Sequence, residues 1–142
     1  MTANVKMVDQ PPPIATDRRP VWDIVIEHVT LRRDENAYGS TGVVDRVIDD
    51  MRERDAVGRQ RYGVPLTSGN GRDSLVDAYQ ECQDAIVYMA AFLDEHGVGP
   101  ATPLENVSDC RLRWQLHCVQ QLLAAQVRGL VQLRALIEER DA

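Results

Sequence analysis

A chain of 142 residues with 44% hydrophobic and 27% charged residues has the size and mix of one soluble domain able to bury its own core. Its formal net charge of −6 argues against a simple electrostatic nucleic-acid binder, although a bound cation can reverse the sign of an acidic site and admit a phosphorylated ligand. Cys82, Cys110 and Cys118 lack C-x-x-C spacing and are expected as free thiols, and no run of about 18 apolar residues offers a membrane span. No signal-peptide run is evident, so a cytoplasmic setting is expected.

Residues 1–19 contain Pro11-Pro12-Pro13 and no amphipathic period, which predicts a flexible arm ahead of a single domain over 20–142. Pro20 can occupy the first turn of a helix, where its missing N–H costs nothing. Val21 to Arg33 follows as a short apolar segment. Its β-branched density allows a strand, but Asp23, Glu27 and His28 favour a helix. Asp34 to Gly42 is a polar connection in which Ser40 or Thr41 can cap the next helix. That helix, Val43 to about Arg61, sets Val44, Val47, Ile48 and Met51 on one face and is stopped by Tyr62-Gly63-Val64-Pro65.

The loop from Gly63 to Gly71 leads to a cap at Asp73 or Ser74 and a long helix reaching about His96. Leu75, Tyr79, Cys82, Ile86, Met89 and Leu93 recur at three- and four-residue steps and predict a buried seam. Gly97-Val98-Gly99-Pro100 ends this helix, and a linker runs to about Val107. A last helix spans about 108–140, with Leu112, Leu116, Val119, Leu123, Gln126, Leu130, Leu133 and Ile137 at nearly heptad spacing. Leu122, Val127, Val131 and Leu136 widen its apolar stripe beyond the needs of one partner, which predicts packing on a second subunit as well. The fold class is all-α, a bundle of about four helices, oligomeric through the C-terminal helix.

Acids stand opposite both seams. Asp50 and Glu53 share a face of one helix, and Asp77, Glu81, Asp84 and Tyr88 share a face of the next. Carboxylates three residues apart can offer two oxygens to one ion, and Mg²⁺ takes oxygen ligands while keeping waters that a phosphate can replace. The plainer reading is a solvated helix face. Against it stands the lack of Lys or Arg at the four-residue step after Asp77, Glu81 and Asp84. Arg59, Arg61 and Arg72 flank the glycines of the loop and are candidates for phosphate contacts. Asn70 could read a base or ribose, though Asn-Gly is also ordinary turn chemistry.

Asp50-Met51-Arg52-Glu53, Arg61-Tyr62-Gly63-Val64-Pro65-Leu66 and Asn70-Gly71-Arg72-Asp73 followed by Glu81-Cys82-Gln83-Asp84 resemble the MazG-like proteins of actinobacterial phages. These belong to the all-α NTP pyrophosphohydrolases, whose signature is E-x-x-E, a spacer, then E-x-x-D. The resemblance covers about residues 43–93. Asp50 departs from it by standing where the signature has Glu, one methylene longer. The resemblance implies a Mg²⁺-dependent, or Mn²⁺-dependent, enzyme that hydrolyses nucleoside triphosphates to monophosphate and pyrophosphate. It implies Glu53, Glu81 and Asp84 as catalytic metal ligands, Asp50 as a further ligand, and Asp77 as a ligand or supporting group. Arg59, Arg61, Asn70, Arg72 and Tyr88 are expected on substrate, in a homodimer or homotetramer. A nucleotide-binding or oligomerisation bundle without turnover is the alternative.

Overall fold

The computed structural model describes residues 9–142, and over these the chain is all-α. Four helices follow in order: α1 (Val21–Asp34), α2 (Thr41–Tyr62), α3 (Ser74–Glu95) and α4 (Cys110–Arg140). An isolated antiparallel bridge between Pro20 and Thr67 is the one extended pairing among the described residues. None of the helices is long and apolar enough to cross a membrane. The chain forms two compact units that meet in sequence at Arg72 and Asp73.

The unit Gln10–Arg72 is built on α1 and α2, which pack on each other. Pro20 takes the position before α1 rather than its first turn, with an extended ψ of 133°. Ser40 precedes α2 without lending its side chain to a cap. The end of α1 is tied to the start of α2 by Arg33, whose Nε and Nη2 donate to the two oxygens of Asp45 at 2.6 and 2.9 Å. That forked bond holds the Asp45 carboxyl below its ordinary range. Val44 and Ile48 of α2 are buried, whereas α1 buries no residue fully. Gly63 closes α2 in the left-handed region at φ 73°, where its N–H reaches Arg59 O at 2.8 Å; a side chain there would be strained.

Residues 10–19, expected as part of a flexible arm, lie instead along the loop at 66–72. The Ile14 amide donates to Asn70 O at 3.0 Å and the Val21 amide to Leu66 O at 2.8 Å. Thr16 Oγ1 donates to the buried Thr67 hydroxyl at 2.7 Å. Residues 1–8 of that expected arm lie outside the described residues.

The unit Asp73–Ala142 is an antiparallel hairpin of α3 and α4. Asp73 caps α3 as its position predicts, its Oδ1 accepting from Leu75 N and Val76 N. Asp109 does the same for α4 through Arg111 N and Leu112 N, two residues later than the sequence suggested. Leu93, Leu116 and Leu123 form the centre of the core, with Ile86, Met89, Leu112 and Val119 packed around them. The polar member of the α4 seam is explained by its partner, since the buried Cys82 thiol donates to Gln126 Oε1 at 3.1 Å. The 97–109 connection folds onto this core through Val98, Leu104 and Val107, and Gln120 Nε2 donates to Gly99 O and Thr102 O, each at 2.9 Å. Arg140 closes the open end of the hairpin on Asp73 at 2.9 Å.

Candidate functional site

On α2, Asp50 and Glu53 stand one helical step apart, both exposed, opposite the buried Val44 and Ile48. The other acids of this helix are committed. Asp45 is held by Arg33, Asp49 by Arg52 at 3.0 Å, and Asp55 by Arg59 at 3.0 Å. Asp50 and Glu53 have no hydrogen-bond or ion-pair partner among the described residues, although Arg52 and Arg54 flank Glu53 in the chain. A helix that spends arginines on its other carboxylates leaves these two open.

On α3, Glu81 and Asp84 are likewise exposed and without a partner among the described residues. Asp77 is half-buried on the same face, one turn earlier. Tyr88 follows Asp84 by one turn and stands 72% exposed. The Asp73 cap fixes where this helix begins and therefore where its acid face starts. Gln83, between the two acids, carries a buried side-chain oxygen that no donor among the described residues reaches.

Among the described residues no three His, Cys, Asp or Glu side chains converge as a metal ion needs. Each acid pair taken alone presents two oxygen donors at neighbouring positions of one helix. That matches the one or two carboxylates Mg²⁺ ordinarily takes from a protein, with water and phosphate completing its shell. The donor chemistry of Asp50/Glu53 and of Glu81/Asp84 therefore fits Mg²⁺ or Mn²⁺.

The residues expected on substrate divide. Asn70 is 4% exposed, and its Oδ1 accepts the Arg72 amide at 3.1 Å, which is the turn role. The Arg72 guanidinium donates to Pro11 O at 2.8 Å and so pins the 10–14 segment to the loop. Arg59 and Arg61 line a cavity of about 210 Å³ within the Gln10–Arg72 unit. Arg59 turns its Nε toward Asp55, while the Arg61 guanidinium lies over the Tyr62 ring, 5.4 Å from its centroid. Trp22 from α1 and Arg54 and Gly58 from α2 complete the part of this lining that bears on ligand chemistry.

Trp22 and Arg54 were not among the candidate residues. Arg54, Gly58 and Arg61 recur at four- and three-residue steps, so a helical wheel would have put them on one face. Nothing local associates Trp22, on another helix, with that face. Comparison with protein-family models, with curated proteins and with solved structures finds no match for this chain.

Proposed function

We propose that this protein is a metal-dependent nucleoside triphosphate pyrophosphohydrolase, cleaving (d)NTP and water to (d)NMP and pyrophosphate in nucleotide-pool control. The observation that carries this reading is the uncommitted acid pair of α2. Asp50 and Glu53 remain open on a helix whose other acids all hold arginines, and Glu81 and Asp84 form a second exposed pair at the same spacing on α3. The likeness of these two pairs to E-x-x-E and E-x-x-D adds support.

In this reading Asp50 with Glu53 on α2, and Glu81 with Asp84 on α3, would each offer carboxylates to Mg²⁺ or Mn²⁺, with Asp77 supporting the α3 pair. When bound, the ion supplies charge neutralisation on the triphosphate and acidity to water. The chain's own part is positioning. Paired carboxylates on helices hold their oxygens close together for one ion. Tyr88 presents an exposed ring on the acid face of α3. The enzyme acts in the cytoplasm as a homo-oligomer, joined through the exposed Leu122, Val131 and Leu136 of α4.

The test is pyrophosphate release from the common NTPs and dNTPs with Mg²⁺ and with Mn²⁺. Turnover is expected for wild type, and Glu81→Gln is expected to abolish it with far-UV circular dichroism unchanged. Wild-type protein inert toward the whole panel with both ions refutes the proposal. A nucleotide-binding protein without turnover is the second reading, favoured by the arginine- and aromatic-lined cavity beside α2. Calorimetric binding of a nucleotide with no hydrolysis would decide for it.

A further inference from the structure

We propose that the cavity over the C-terminal half of α2 is a metal-independent site for a nucleoside monophosphate, its ring against Trp22 and its phosphate on Arg54 and Arg61. The cavity lies wholly within the Gln10–Arg72 unit, and neither Asp50 nor Glu53 lines it. The α2 carboxylates assigned to the metal are therefore not part of its wall.

Charge points to an anion. Arg54, Asp55, Arg59 and Arg61 all line the cavity, and Asp55 is already neutralised by Arg59, whose Nε lies 3.0 Å from both carboxylate oxygens. Arg54 has no hydrogen-bond or ion-pair partner among the described residues, and Arg61 rests over Tyr62. Two guanidinium forks are thus open in a local field opposite in sign to the chain's net charge of −6.

The walls point to a flat ring. Trp22 and Tyr62 contribute aromatic rings to the wall from two helices, and base–aromatic stacking accepts any nucleobase. Size points to a small ligand. The cavity of about 210 Å³ is small and open on one side, so a monophosphate leaves less of itself outside it than a triphosphate does.

Gly58 forms part of the lining and supplies the most telling detail. Glycine weakens a helix relative to alanine, yet a Cβ built at Gly58 meets no atom within 4 Å. The helix packing gives no reason for its absence. Gly129 of α4 is equally open, but Gly58 lines the cavity, where bare backbone leaves room for a ligand.

A monophosphate is what the proposed hydrolysis would release, but the site needs no turnover and no metal, so the two readings fail separately. The experiment uses full-length protein carrying Trp114→Phe, which leaves Trp22 as the one tryptophan, in buffer with EDTA. Adenosine, guanosine, cytidine and uridine monophosphates and dTMP are titrated while Trp22 fluorescence is followed, with inorganic phosphate and the free nucleosides as separate arms. Saturable quenching by at least one monophosphate is expected, with phosphate alone and nucleoside alone each about tenfold weaker or more.

Arg54→Ala and Gly58→Leu are each expected to weaken binding about tenfold or more. Gly58→Ala, which any helix accepts, keeps the test open should the leucine variant fail to fold; it is expected to weaken binding at least threefold while helicity holds. The proposal is overturned by absence of saturable quenching, by phosphate or nucleoside binding as tightly as the monophosphate, or by unchanged affinity in folded Arg54→Ala and Gly58→Ala. Pyrophosphate release measured on the same preparation reports on the hydrolase reading independently.

Discussion

Replacing Asp73 by alanine removes one oxygen that serves two purposes. Asp73 Oδ1 accepts from Leu75 N at 3.1 Å and Val76 N at 3.2 Å, and it also accepts from Arg140 Nη1 at 2.9 Å. Loss of an N-cap of this kind costs about 1 kcal/mol. The ion pair adds a smaller, salt-sensitive increment, because the side chains of Asp73 and Arg140 remain 34% and 41% exposed. Asp73→Ala should therefore lose about 1 kcal/mol or somewhat more, while Asp73→Asn, an equally good cap without the charge, should lose only the increment. Urea unfolding followed by far-UV circular dichroism, at low and high salt, separates the two parts. The asparagine deficit should shrink with salt and most of the alanine deficit should persist. Equal losses for Asp73→Ala and Asp73→Asn would refute the reasoning, since the cap would then contribute nothing.

Acid should expose the same contact from another side. Arg140, together with the Val76 and Leu75 amides, holds the Asp73 carboxyl below its ordinary range, and Arg33 does the same for Asp45. A depressed carboxylate contributes stability that is complete above its unfolded pKa of about 3.9 and is lost as pH falls through the lower folded value. The urea midpoint should therefore hold down to about pH 4 and fall below it, and the gap between wild type and Asp73→Asn should close in the same window. Leu116 is fully buried at the centre of the α3–α4 core, so Leu116→Ala should cost about 2–5 kcal/mol. A thermal midpoint within a degree of wild type would contradict its central place.

What could be read from the chain before its structure was whatever its local chemistry encodes. The α3 seam from Leu75 to Leu93, the Asp73 cap and the Gly63 stop each depend on residues within a few positions of one another, and each is found where the spacing implies. The α4 seam was legible for the same reason, down to the single polar step at Gln126. Its partner Cys82 was visible only as a small apolar residue.

Contacts made by backbone alone left no mark. The Ile14 amide on Asn70 O and the Val21 amide on Leu66 O join distant stretches without any side-chain period, so a proline-rich segment read as a free arm. The break between Arg72 and Asp73 was hidden too, because a capped helix start looks the same inside one domain as at the edge of a second unit. The candidate site shows the same division. Acid faces on single helices can be seen on a wheel, whereas a cavity that needs Trp22 from α1 and Arg54 from α2 cannot.

The bond from Asp73 to Arg140 also bears on motion. The last turn of a helix ordinarily frays, because its carbonyls lack partners and few contacts hold it. Here that turn is held through the Arg140 guanidinium to the first residues of α3, one turn beyond the fully buried Ile137. Amide exchange near the end of α4 should therefore be slower than in a last turn held only by its own backbone. Slow exchange there and fast exchange after Arg140→Gln would trace that protection to the guanidinium.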